Sequence, residues 1–77
     1  MPKRIYVGNL PRSATSSQVS DLFRPYGRVG NVTMNRDGSA IVEMPSDSEG
    51  DAALGGLRNA RMGTNSLNVN EARPRAD

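Results

Sequence analysis

The sequence predicts an α+β sandwich of order βαββαβ, a four-stranded antiparallel sheet with both helices on one face. Three observations predict it. Short β-branched stretches alternate apolar with polar residues, two intervening segments carry apolar residues at helical spacing behind a capping residue, and an Asp-Gly turn joins the middle strands. The 77 residues leave room for one small domain, with a core over about 4–72 and a basic tail over 73–77.

Each element has its own signal. Arg4-Ile5-Tyr6-Val7-Gly8 reads as a strand with Ile5 and Val7 on one face and Arg4 and Tyr6 on the other. A turn over Asn9–Ser13 follows, and Thr15 with Gln18 three residues on makes a capping box. Val19, Leu22 and Phe23 then form one apolar stripe on a helix from Ser16 to about Arg24, stopped by Pro25 and Gly27. A strand over about Val29–Asn35 starts through a bend or bulge, with Val29, Val32 and Met34 on one face and Asn31, Thr33 and Asn35 on the other. Asn35-Arg36-Asp37-Gly38 is a tight turn, because Asp and Gly accept the backbone angles a hairpin needs. Ser39 to Met44 pairs back, with Ala40, Val42 and Met44 turned one way and Ser39, Ile41 and Glu43 the other.

A second capping box, Ser46 with Glu49, opens a helix near Asp47 that buries Ala53, Leu54 and Leu57. Gly50, Gly55 and Gly56 weaken it by about 0.8–1 kcal/mol each relative to alanine, so it depends on docking. Arg58 to Ser66 reads as a loop, and Leu67 and Val69 alternate with Asn68 and Asn70 in the last strand. Met34, Met44 and Met62 are expected to fill gaps in the core.

Composition narrows the function. With no cysteine and no histidine, the chain forms no disulfide and no zinc finger, and neither metal nor cofactor is expected. An enzyme is not expected either, since no carboxylate pair is set up as acid and base. Absence of cysteine fits a reducing, intracellular compartment. No apolar run is long enough to span a bilayer and no leader opens the chain, so no membrane partner is expected. Nine arginines and one lysine face eight carboxylates, and arginine favours bidentate contact with phosphate and stacking on bases.

An antiparallel sheet covered on one face leaves the other open to a ligand. Alternation puts Arg4, Tyr6, Asn31, Thr33, Asn35, Ser39, Ile41, Glu43, Asn68 and Asn70 there. Within this set the hexamer Ile5-Tyr6-Val7-Gly8-Asn9-Leu10 resembles, at every position, a signature of the RNA recognition motif family. Thr15 to Gly27 is similar to that family's first helix and exit, and LNVNEARPR over 67–75 to the ending of small single-domain members from bacteria and organelles. The resemblance implies a ferredoxin-like sandwich that binds single-stranded RNA on its open face.

The family's second signature, an octamer, is altered. It asks for a basic residue, glycine, an aromatic, a small residue, an aromatic, an aliphatic, any residue and an aromatic. Here Gly38, Ala40 and Val42 fit, whereas Asp37, Ser39 and Ile41 depart at the positions that meet RNA. Tyr6 is left as the stacking platform, and losing two others removes about 2–6 kcal/mol of affinity. Arg4, Arg36, Arg73 and Arg75 are expected to contact phosphate, Asn68 and Asn70 to read base edges, and Thr33, Ser39 and Ile41 to line the face. Asp37 and Glu43 oppose the phosphates. The expected partner is a short single strand of RNA bound weakly, and the competing reading is a protein-interaction or self-association domain that kept the fold after losing its octamer aromatics.

Overall fold

The computed structural model describes residues 3–72. Strand β1 (Lys3–Gly8) leads to helix α1 (Ser16–Phe23), whose last turn tightens into a 3₁₀ segment over Arg24–Tyr26. Strands β2 (Asn31–Met34) and β3 (Ala40–Met44), helix α2 (Asp47–Gly56), two short strands β4 (Arg61–Met62) and β5 (Asn65–Ser66), and strand β6 (Asn68–Glu71) complete the chain. The main sheet runs β2-β3-β1-β6 with every pair antiparallel. This is the α+β sandwich that the sequence predicts.

The covered face follows from the period of two. Ile5 and Val7 of β1 pair with Val42 and Ala40 of β3, Val7 also with Val69 of β6, and all but the slightly exposed Val69 are fully buried. Val19 and Phe23 from α1 and Ala53 from α2 close over them, also fully buried. Burying a side chain of this size contributes about 1.5–3 kcal/mol, so these few residues carry most of the stability available to so short a chain.

The two helices begin differently. Thr15 Oγ1 accepts from the Gln18 N–H at 3.2 Å and Gln18 Oε1 accepts from the Thr15 N–H at 3.1 Å, the full reciprocal box. Ser46 caps α2 by accepting from the Glu49 N–H, but the second half of the expected box is missing. The Glu49 carboxylate turns away to accept the Arg28 N–H at 3.1 Å, in space that a Cβ on Gly27 would occupy. A tertiary bond has replaced the local one.

Other expectations need correction. β2 is shorter than foreseen, because Gly30 donates to the Glu43 carbonyl at 2.8 Å while Asn31 is also opposite Glu43, a bulged start that delays the regular ladder. Met44 is fully buried, but Met34 is 37% exposed because it sits on an edge strand. The expected loop over 58–66 contains the β4–β5 hairpin, turned at Gly63 with φ +63°. Side-chain bonds from distant residues hold it: Asn9 Nδ2 donates to the Ser66 carbonyl at 2.8 Å, and Asn65 Nδ2 donates to the Asn9 carbonyl at 3.2 Å.

Candidate nucleic-acid interface

The ladder register lines up the outward residues in rows across the sheet. One row reads Thr33, Ile41, Tyr6, Asn70 from β2 to β6, and it is uncharged. Beside it lies Asn31, Glu43, Arg4, and on the other side Gly8 faces Asn68. Thr33, Tyr6, Asn68 and Asn70 are exposed and Ile41 is half-buried. The register thus brings five of the expected residues into adjacent positions on one open surface.

Tyr6 has a defined seat. A Cβ built on Gly8 would fall 2.7 Å from the Tyr6 hydroxyl oxygen and 2.8 Å from Cε2, so the ring lies along β1 over the Gly8 backbone. Residues i and i+2 share a strand face, which is why a residue without a side chain two places on lets the ring lie down. The ring stays 37% exposed at the centre of the sheet. Gly8 was absent from the expected contact residues, although its place in the hexamer and the period of two were both readable.

The charged row is less free than the sequence implies. Arg4 stands opposite Glu43, its Nε 3.8 Å from a carboxylate oxygen and without a hydrogen-bond partner among the described residues. Arg4 and Glu43 therefore offset each other's charge next to Tyr6. Arg36 is exposed at the hairpin tip. Arg73 and Arg75 lie outside the described residues.

Ser39 corrects an expectation. It is 2% exposed and precedes β3 rather than opening it. Its N–H donates to Asp37 Oδ1 at 3.1 Å, its hydroxyl donates to the same oxygen, and its Oγ accepts from Asn35 Nδ2 at 3.0 Å. A short polar side chain at a hairpin closes on the turn instead of facing outward. Asp37, expected to oppose phosphate, is the group that holds it.

Comparison with known proteins identifies the family. The family model for the RNA recognition motif matches residues 5–68. The chain belongs to the RNA recognition motif family. It is 41% identical over 80 residues to the "Putative RNA-binding protein RbpF" of Nostoc sp., covering 95% of this chain and 76% of that one. Among solved structures, the RNA recognition motif domain of S. pombe Puf1 superposes with a TM-score of 0.84 at 32% identity, over 100% of this chain and 98% of that one. A Sex-lethal protein/RNA complex matches with a TM-score of 0.88 at 25% identity, over 100% of this chain and 50% of that one. These relatives are binding proteins rather than enzymes.

Proposed function

We propose that this RNA recognition motif domain is an RNA-binding module whose open sheet face takes a short single strand, with one base stacked on Tyr6. The observation that carries the reading is the Tyr6 ring, laid over Gly8 at the centre of the uncovered face between Ile41 and Asn70. An exposed aromatic face gives a base about 1–3 kcal/mol, whichever base it is. Asn68, Asn70 and Thr33 offer donors and acceptors to base edges and the 2′-hydroxyl on either side of the ring. Ile41 packs against the neighbouring nucleotide without a π-face. Arg36, with Arg73 and Arg75 of the tail, supplies sequence-independent attraction to phosphate, and Arg4 joins it only when released from Glu43. Ser39, closed into its hairpin, takes no part.

Similarity supports the ligand class: a relative carries an RNA-binding name, and a matching solved structure is a complex with RNA. RNA as ligand also agrees with the intracellular setting expected of a cysteine-free chain. Affinity is weak in this reading because Tyr6 works without the two aromatic partners that the family's octamer supplies. Ile41 in place of an aromatic is what favours the second reading, a protein contact or self-association made through the same face.

Titration of the labelled chain with single-stranded RNA hexamers, followed by backbone amide NMR, tests the proposal. Amides at Tyr6, Ile41 and Asn70 are expected to shift together, and Tyr6→Ala to weaken binding about 5- to 150-fold with the spectrum of a folded chain retained. No shift at these amides with millimolar RNA at low salt sinks the RNA reading, and a variant that binds as well as the parent removes Tyr6 from the site.

A further inference from the structure

We propose that the outer edge of β2 is a docking site for a short acidic peptide, which adds to the sheet as a further strand. β2 is an edge of the sheet. Its ladder has a fixed phase: the Asn35 N–H is bonded to the Ser39 carbonyl at 2.8 Å, so Thr33 turns its backbone groups toward β3 while Val32 and Met34 turn theirs outward. No described strand meets those outward groups, and a row of them is the template on which an extended peptide forms main-chain hydrogen bonds.

The side chains of the same two residues make a second, independent feature. Opposite Val42 and Ala40, they belong to the helix side of the sheet, yet α1 leaves Val32 half-buried and Met34 37% exposed. Two clefts open along this strip, one of about 600 Å³ lined by Val32 and Arg28, the other of about 750 Å³ lined by Met34, Arg12 and Arg36. Arginines thus stand at both ends of an apolar strip that has a backbone template beside it. None of Arg12, Arg28 and Arg36 pairs with a carboxylate among the described residues. Asp37, which also lines the second cleft, is engaged by the N–H and hydroxyl of Ser39.

Charge complementarity selects the occupant. Positive ends call for carboxylates, and the apolar strip calls for aliphatic side chains at every second position of an extended chain. A nucleic-acid strand brings no peptide ladder, and neither cleft is lined by an aromatic residue on which a base could stack. Tyr6 lies two strands away, on β1, and points to the other face, so this site is separate from the ring that carries the RNA reading, and the two share only Arg36 at the hairpin tip.

The test uses the whole chain, isotope-labelled, and three probes: an end-blocked hexapeptide of alternating glutamate and valine, its lysine–valine counterpart, and an oligouridine hexamer. The acidic peptide is expected to shift the amides of residues 31–34 and to slow hydrogen exchange at Val32 and Met34, whereas the basic peptide leaves them unchanged. Met34→Pro removes an outward N–H without touching a bond to β3, and is expected to weaken the acidic peptide at least tenfold. The double variant Arg12→Glu, Arg36→Glu is expected to do the same and decides the matter should the proline variant not fold. Equal response to both peptides, no response to either, or a folded Met34→Pro chain that binds as the parent does overturns the proposal. So does a response of the Val32 and Met34 amides to oligouridine but not to the acidic peptide, or a peptide-free dimer joined through β2.

Discussion

Strands β1 and β3 lie side by side at the centre of the sheet, paired from Lys3↔Met44 to Val7↔Ala40, and their two faces have different fates. Inward, the strands are equivalent: Ile5 and Val7 on one, Ala40, Val42 and Met44 on the other, are all fully buried. Outward they diverge. β1 presents an aromatic ring seated over Gly8, while β3 presents Ile41 and Glu43 and has Ser39 folded away at its start. Because alternate side chains point to opposite faces, one face of a strand can change its chemistry while the other goes on holding the fold. What the pair teaches is that fold and ligand contact are encoded on separate, interleaved sets of positions.

Interleaving predicts that variants on the two sets fail in different ways. Ile5→Ala, on the inward set, is expected to show the largest effect, about 2–5 kcal/mol of stability, because the cavity it leaves under α1 and α2 cannot fully collapse. Chemical denaturation measures it, and a loss below about 1 kcal/mol breaks the claim that the inward face carries the fold. On the outward set, Ile41→Phe places a second ring directly opposite Tyr6 and is expected to tighten RNA by about 1–3 kcal/mol. Its melting temperature should stay close to that of the parent. Unchanged affinity by fluorescence or calorimetric titration means that the β3 side of the face does not meet the strand of RNA.

A smaller effect belongs to the charged row. Glu43→Gln frees Arg4, whose Nε lies 3.8 Å from the Glu43 carboxylate, to meet a phosphate. Exposed pairs of this kind are worth about 0.2–1 kcal/mol, so affinity is expected to rise by less than about fivefold. The more telling readout is salt. One additional phosphate contact steepens the dependence of log affinity on log salt by about 0.7 for a single strand. A slope equal to the parent's shows that Arg4 stays out of reach of the backbone.

The interleaving also explains what was legible in the sequence. Strand faces, α1 with its box, and the outward position of Tyr6 follow from local spacing, whereas the seat of its ring over Gly8 is a finding of the structure. Ser39 was misplaced because alternation assigns it outward, whereas its hydroxyl and N–H close on Asp37 within the hairpin. The β4–β5 hairpin was missed because two-residue strands have no periodicity, and because Asn9, more than fifty residues away, supplies the bonds that hold it. Glu49 misled for the same reason: the capping spacing is present, but the carboxylate answers the Arg28 N–H across the fold. Local pattern reads what neighbours decide. It does not read a polar side chain whose partner is distant in the chain.

Lys3 and Arg4 carry the comparison to its finest scale, since adjacent residues of β1 point to opposite faces and both meet carboxylates. Among the described residues Arg4 has a single one at 3.8 Å, on the open side. Lys3 Nζ lies 3.0 Å from Asp51, 3.3 Å from Glu71 and 3.5 Å from Asp47, tying β1 to α2 and β6, and its stem crosses Gly50, where a Cβ would come within 2.5 Å of it. The hydrogen bond to Asp51, with Glu71 and Asp47 adding to it against partial burial, holds the ammonium pKa above the usual lysine value. A folded-state value above the unfolded one of about 10.5 means that this stabilisation is complete below pH 10.5 and disappears as pH climbs toward the folded value. Melting temperature is therefore expected to owe nothing to Lys3 titration from pH 6 to 9, and to fall above pH 10.5 more steeply in the parent than in Lys3→Met. Arg4→Met, measured in parallel, should keep the parent's alkaline slope, because it leaves Lys3 and its three carboxylates in place. Matching slopes for the parent and Lys3→Met would show that the lysine is no tighter a tie on the covered face than the arginine is on the open one.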